Sequence, residues 1–409
     1  MTQFTEVPIC GYLQDRLQTN NFINPTPVQE SAIPPALAGR DILATAQTGT
    51  GKTLAFLLPI MEQLLAQKPT GIAALVLVPT RELAMQVVAQ YDALRGRKLP
   101  QAAQIVGGLS EKNQIESVRR GARLVVATPG RLEDLLDRRL VSLSNVKVLV
   151  LDEADRMLDM GFIQAIRRIV AQLPKARQTM LFSATLDAAV AHLVHDYLSS
   201  PVRVALGSVT RPVESVKLQA FEVANDQKLA LLQRLLAEDD GRTLVFARTK
   251  RGTERLAQKL VRDGFAAGMI HGNRSQSQRS AALADFQRGR TRLLIATDVA
   301  ARGIHVDDIS HVINYDLPEA AEDFVHRVGR TGRAGAEGKA STFFGPQDRH
   351  EVSKLERTLS IRMERMPVNG ELSREERVAP VNTAGYVPRQ VAPGSRMVSL
   401  PGEVLQRYA

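Results

Sequence analysis

Ten short apolar runs, each followed by a segment of helical spacing, constrain this chain more than any other feature. In the first half they are DILATA (41–46), AALVLVPT (73–80), RLVVATPG (123–130), VKVLVLDE (146–153) and QTMLFSAT (178–185). In the second half they are TLVFAR (243–248), AGMIHG (267–272), RLLIATD (292–298), HVINYD (311–316) and KASTFF (339–344). A strand that is apolar on both faces must be covered on both faces. Alternation with helices supplies that cover, so the pattern predicts parallel sheets in an α/β fold. Ten strands are too many for one small sheet, and two domains are expected. The break falls in ALGSVTRPVESVKL (205–218), which is polar and carries Pro212. The expected units are residues 1–206, a linker 207–217, residues 218–366, and a loosely ordered tail 367–409 with five prolines and four glycines. RLVVATPGR (123–131) resembles RLLIATDVA (292–300), a hint of internal duplication, although any two buried parallel strands look alike.

Charge and composition narrow the partners. The 53 basic residues outnumber the 43 acidic ones, for a net charge of +10. An excess of that sign attracts polyanions, of which nucleic acid is the commonest; a merely basic surface is the alternative. There is no tryptophan and only 4% of residues are aromatic, which favours contacts to a phosphate backbone over base stacking. One cysteine, Cys10, rules out a disulfide framework and suits a reducing compartment. The start, MTQFTEVPIC, does not read as a signal peptide, and no apolar run approaches the roughly 20 residues that span a bilayer. A soluble cytoplasmic protein is expected.

Two stretches carry phosphate chemistry. ATAQTGTGKT (44–53) lies between a strand and a helix, the setting of a phosphate-binding loop. Gly49 and Gly51 let backbone N–H groups turn toward phosphate oxygens, and the following helix N-terminus adds a favourable dipole. Lys52 can reach the outer phosphates, and the Thr53 hydroxyl can ligate Mg²⁺. The general pattern has glycine where this chain has Ala46. The strand at 146–151 then ends in Asp152 and Glu153. Carboxylates at the carboxyl end of a parallel strand sit where ligands bind in such sheets. Beside a phosphate loop, Asp152 would hold Mg²⁺, and Glu153 would orient or deprotonate a water. A plain helix cap is the rival reading of these carboxylates.

With D-E-A-D at 152–155 after the phosphate loop, the sequence resembles the DEAD-box RNA helicases of superfamily 2, in their minimal bacterial-type core, over about residues 4–345. The resemblance implies two tandem RecA-like parallel-sheet domains with the ATP site in the interdomain cleft. It implies ATP and Mg²⁺ as ligands and RNA, bound through its backbone with little sequence preference, as partner. A monomer working in ribosome assembly or RNA turnover is in keeping with it. NNFINPTPVQ (20–29) looks like the adenine-sensing motif: Phe22 would stack, Gln29 would read the base edge, Thr26 would join them, and Phe4 would buttress them. Ala46, Gln47, Thr48, Gly49, Thr50, Gly51, Lys52 and Thr53 would form the phosphate loop. Pro79, Thr80, Arg81, Gly107, Gly108, Thr128, Pro129, Gly130 and Arg131 match the RNA-backbone motifs of the first domain. Ser183 and Thr185 match the motif that couples nucleotide to strand separation.

In the second half, HGNRSQSQR (271–279) has Gln276 and Arg279 in the family's places but Asn273 for its aspartate. Thr297 would bind RNA phosphate. His305 stands where the family has a ribose-contacting aspartate, and Asn21 where it often has glycine. HRVGRTGRAG (326–335) sets Arg327, Arg330 and Arg333 three apart, a repulsive arrangement that asks for an anion. The resemblance makes Arg330 and Arg333 fingers on the γ-phosphate and His326 a link to the opposing domain. Two rival classes remain: a nucleotide-gated RNA clamp with little turnover, and a P-loop kinase of small molecules, which has no use for TPGR (128–131) or the arginine run.

Overall fold

A computed structural model describes residues 3–46, 50–67, 70–205, 215–301, 306, 309–332, 337–368 and 372–373. The strands of the first half are β1 Ile42–Thr45, β2 Ala74–Leu77, β3 Ala103–Ile105, β4 Leu124–Ala127, β5 Val148–Leu151, β6 Gln178–Ser183 and β7 Val202–Ala205. Those of the second half are β8 Val216–Glu222, β9 Arg242–Phe246, β10 Ala267–Ile270, β11 Leu293–Ala296, β12 Ile309–Asn314, β13 Gly338–Phe344 and β14 Glu364–Met366. They build two seven-stranded sheets, ordered β3-β4-β2-β5-β6-β1-β7 and β10-β11-β9-β12-β13-β8-β14, with every pairing parallel.

The two orders are the same order shifted by seven strands. The pair that looked alike in sequence, β4 and β11, holds the second place in each sheet. The apolar runs are buried on both faces for the reason their composition suggests. Val148 and Val150 of β5 enter one core and Leu149 and Leu151 the other; in the second domain Leu244 and Phe246 of β9 face one core and Val245 the other. Four strands lie outside the ten runs. Three of them, β3, β7 and β14, are sheet edges of three or four residues, and β8 opens the second sheet inside the polar segment taken as the break. Past β14, Val368 and Leu372 pack on the second domain and Gln227 Nε2 donates to the Leu372 carbonyl at 3.2 Å. The remainder of the segment read as a tail lies outside the described residues.

One buried titratable group makes stability pH-dependent. His311 on β12 is fully buried, with Nε2 and Ser341 Oγ 2.8 Å apart. Burial pulls its pKa down from 6.5 to about 3; the positive charge of Lys339 adds to this, and Asp239, 3.6 Å from Nδ1, opposes it. The unfolded chain therefore binds a proton that the folded chain refuses between these values. Stability should fall as pH drops from about 6.5 toward 3, by up to about 1.4 kcal/mol per pH unit from this group. Urea midpoints measured across that window, in wild type and His311→Asn, should differ in slope by one proton. Equal slopes would show that His311 does not stay neutral in the fold.

Candidate active site and RNA groove

The first sheet gathers the quoted motifs on one rim. The phosphate loop follows β1, PTREL follows β2, TPGR follows β4, the DEAD run follows β5 and SAT ends β6. Carboxyl ends of parallel strands open together, so residues far apart in sequence meet there.

Lys52 opens the helix Lys52–Gln67 and is buried, its Nζ donating to the Ala46 carbonyl at 2.8 Å. Ala46 N in turn donates to the Ser183 carbonyl at 3.1 Å, which ties the loop to the end of β6. Gln47, Thr48 and Gly49 lie outside the described residues. Gly51 has φ +91°, and a Cβ there would come within 2.4 Å of Gln29 Nε2 and 2.8 Å of Thr26 Oγ1. Glycine is thus required by both conformation and space. Thr26 and Gln29 of the NNFINPTPVQ stretch clasp this loop. Thr26 Oγ1 donates to the Thr50 carbonyl at 2.7 Å, Gln29 Nε2 donates to the Gly51 carbonyl at 3.0 Å, and Thr26 N donates to Gln29 Oε1 at 2.8 Å. Phe22 packs half-buried against the core, while Phe4 is buried with its N–H on the Ile23 carbonyl. Asn21 has φ 60°, a left-handed conformation that asparagine tolerates better than most side chains, which accounts for its standing in for glycine.

Asp152 is 2% exposed, and burial pushes its carboxyl up to about 7 against the pull of Lys52. Its Oδ1 accepts the Glu153 N–H at 3.0 Å. A buried carboxylate this costly to ionise suits a cation. No group of three or more metal-ligating side chains occurs among the described residues. An ion held by Asp152 and Thr53 and completed by nucleotide phosphates and water is the mode Mg²⁺ favours, so these residues fit it. Glu153 sits at φ 51°, ψ 53°, a left-handed conformation of the kind that costs a non-glycine residue about 1–2 kcal/mol and collects at functional sites. Its Oε2 lies 3.7 Å from Arg156 Nε, both side chains buried.

Asp155 organises the SAT turn. Its Oδ2 accepts from Ala184 N at 2.9 Å, Thr185 N at 3.0 Å and Thr185 Oγ1 at 3.4 Å, and its own N–H reaches Ser183 Oγ at 3.3 Å. The link between nucleotide rim and SAT motif is therefore a set of short hydrogen bonds within the first domain.

The second domain closes on this rim. A small crevice is lined by Arg156 from the first domain and by Phe246, Asp298, Asp323, His326, Arg327 and Arg330 from the second. Arg330 is 2% exposed and its Nε donates to the His326 carbonyl at 3.3 Å. Arg327 has a different task. It forks onto both carboxylate oxygens of Asp298 at 2.6 and 2.7 Å and lies over the Phe246 ring, 5.1 Å from its centroid. Arg333 and His305 lie outside the described residues.

A groove of about 550 Å³ runs between the domains, lined by Pro79, Thr80, Arg81, Gly107, Thr128, Gly130 and Arg131 among the expected RNA residues. Gly108 lies under Arg81, whose guanidinium would meet a Cβ there at 2.1 Å. Pro129 starts the helix Pro129–Asp137, and Thr297 is buried after β11; neither lines the groove. Thr80 Oγ1 caps the next helix by accepting Leu83 N at 3.2 Å and keeps its own proton to donate. Arg131 is engaged by Glu111 at 2.8 Å and Asp134 at 3.3 Å. Asn273 is exposed, so its replacement of aspartate strands no buried group.

Several contributors carry no sequence signal of their own. Glu82, buried, accepts from Gln276 Nε2 at 3.0 Å and Arg279 Nη2 at 2.9 Å across the domain boundary. Met160 and Phe162 supply an apolar wall to the groove. Glu82 directly follows Arg81, but its partners are nearly 200 residues away, and only folding shows what it holds.

Comparisons with known proteins agree with this layout. Residues 26–193 match the family model for the DEAD/DEAH box helicase, and residues 227–335 that for the helicase conserved C-terminal domain. The S. cerevisiae Dbp5 structure bound to RNA and ADP BeF3 is 32% identical, with a TM-score of 0.81, over 90% of this chain and 96% of that one. A DEAD box protein from Methanococcus jannaschii is 37% identical over 90% of this chain and 99% of that one, with a TM-score of 0.54. Mss116p bound to ssRNA and AMP-PNP is 27% identical over 90% of this chain and 79% of that one, with a TM-score of 0.80. The higher identity goes with the poorer superposition.

Proposed function

The chain belongs to the DEAD-box family of ATP-dependent RNA helicases, and we propose that closure of its two domains around RNA gates its ATP hydrolysis. The observation that carries this is the bonding of Glu82 to Gln276 and Arg279, which brings the second domain's arginines over the first domain's nucleotide rim. Units spanning residues 1–206 and 218–366 move as the two jaws. Phe22, Thr26 and Gln29 hold adenine and report its presence to the loop they clasp. Lys52 leaves the Ala46 carbonyl for the outer phosphates, helped by the amides of residues 47–51. Asp152 and Thr53 would hold Mg²⁺, which would offset the charge of the phosphates. Glu153 positions the attacking water and takes its proton. Arg330, with Arg333, meets the charge that develops on the γ-phosphoryl group, and His326 links the jaws.

RNA lies in the interdomain groove. Arg81 and the amides of Gly107, Gly108 and Gly130 face its phosphates, with Thr80, Thr128 and Arg131 beside them; Pro129, at its helix start, and buried Thr297 of the second domain stand behind this lining. Ser183 and Thr185, fastened by Asp155, pass the state of the nucleotide to that groove. Because RNA contacts both jaws, it favours closure, and by linkage it raises turnover. A strand gripped across the closed jaws and bent there would leave its complement, which opens short duplexes. Among the described residues no helix is long and apolar enough to cross a membrane. A cytoplasmic monomer acting on ribosome-assembly or RNA-degradation complexes suits this chemistry.

Steady-state ATP hydrolysis with and without single-stranded RNA tests the gate. RNA should raise kcat by an order of magnitude or more, and Glu82→Gln, which weakens the closing bonds, should raise the RNA concentration required. Equal turnover with and without RNA would reject closure as the gate and revive the clamp reading.

A further inference from the structure

The helix Lys250–Arg262 packs Thr253, Leu256, Ala257 and Leu260 into the second domain. Its opposite face carries Arg251, Arg255, Gln258 and Arg262, all exposed, at the spacing that puts side chains in one row. From Arg251 to Arg262 the row covers about 16 Å at 1.5 Å per residue. Like charges one turn apart repel, so such a row weakens its own helix.

Some exposed arginines of the molecule are neutralised. Arg138 pairs with Glu111 and Asp134, Arg349 with Glu222, and Arg365 with Glu356. Arg251, Arg255 and Arg262 form no ion pair with any described residue. The single carboxylate of the helix, Glu254, forms no ion pair with the row and also bears on buried His271.

The row is continuous with the groove. Lys250, the first residue of the helix, lies over Gly272: a Cβ there would meet its Cε at 3.1 Å. Gly272 and Arg279 line the groove itself. Arg274, Lys250 and Arg279 all bear on His271, next to Gly272. Basic side chains therefore extend from the groove through Lys250 to Arg251 at the start of the row, with Glu254 the one carboxylate of the helix beside them.

We propose that this face is a second RNA surface, which takes the phosphates of a single strand leaving the groove and reads no bases. The inference rests on the groove being the RNA site. Charge complementarity and continuity with that groove single out the strand's backbone as the occupant. The row offers no aromatic side chain for stacking.

The test is the triple variant Arg251→Gln, Arg255→Gln, Arg262→Gln of the full chain, with a non-hydrolysable ATP analogue present. Fluorescence anisotropy would follow binding of labelled oligouridylates of about 6 and about 20 nucleotides, a length within and a length beyond one ordinary single-strand site, across a range of KCl concentrations. For the long RNA, the slope of log affinity against log salt should shrink by about 2, three contacts at about 0.7 each. The short RNA should bind as it does to wild type and stimulate ATP turnover equally. An unchanged slope with the long RNA would overturn the proposal, as would equal loss with both lengths. A wild type that binds neither RNA would instead sink the groove reading, and this inference with it.

Discussion

Replacing Arg330 by alanine should lower kcat of RNA-stimulated ATP hydrolysis by about 10³–10⁵-fold and leave ATP binding within a few-fold of wild type. That fall corresponds to roughly 4–7 kcal/mol of lost transition-state stabilisation, the usual effect of an arginine finger. The geometry explains why binding should be spared. Arg330 belongs to the second domain, whereas Lys52 and its loop belong to the first, and ATP can occupy the first with the jaws apart. Arg330 is 2% exposed and its Nε is held by the His326 carbonyl, so its side chain is restrained before any charge on phosphate develops. Such pre-organised groups are worth most in a water-poor cleft. Arg330→Lys keeps the charge but loses the planar fork, and it should recover only part of the rate. Nucleotide titration beside single-turnover hydrolysis separates the outcomes. Parallel loss of binding and turnover would mean that Arg330 anchors the ground state only.

Glu153→Gln should cut kcat by about 10²–10⁴-fold, the usual effect of removing a general base, with RNA and ATP both still bound. Glutamine matches the volume of glutamate and can keep the left-handed backbone at this position, so the variant isolates the charge. The neighbouring contacts argue for a held carboxylate: Arg156 Nε lies 3.7 Å away within a buried pair. Because RNA remains gripped while hydrolysis fails, ATP-dependent RNA complexes of the variant should outlive those of wild type in a dissociation assay. Full turnover by the variant would show that Glu153 does not act on the water.

Legibility followed burial. Runs such as VKVLVLDE could be read as central strands because both faces of β5 enter a core, and two-sided burial leaves an unbroken apolar string. β3, β7 and β14 leave no such string, because an edge strand of three or four residues has one neighbour and needs none. β8 is obscured differently: VKLQAFE mixes polar and apolar residues directly after the interdomain segment, where a linker and a strand look the same. The nucleotide rim was legible because its chemistry is local, each motif needing only its own strand end. The groove was half legible. Its first-domain side follows from quoted motifs, whereas Met160, Phe162 and Gly272 enter only through proximity.

The arginine run separates the two sources of information most clearly. Spacing alone showed that three cations one turn apart needed anions, and the phosphate loop 278 residues upstream of Arg330 supplied the kind of anion. It could not assign the arginines their separate partners. Folding gave Arg327 to Asp298 and Phe246, inside its own domain, and left Arg330 at the cleft beside Arg156. Glu82 tells the same story, because its partners Gln276 and Arg279 belong to the other domain. What sequence determined by itself was the α/β class, the two parallel sheets and the residue types that stand at each strand end. Those depend on hydrophobic pattern and on residue types a few positions apart. Only the tertiary structure decided which charges meet across the cleft, because a Coulomb or hydrogen-bond partner is set by a few ångströms of space, and position along the chain does not encode that.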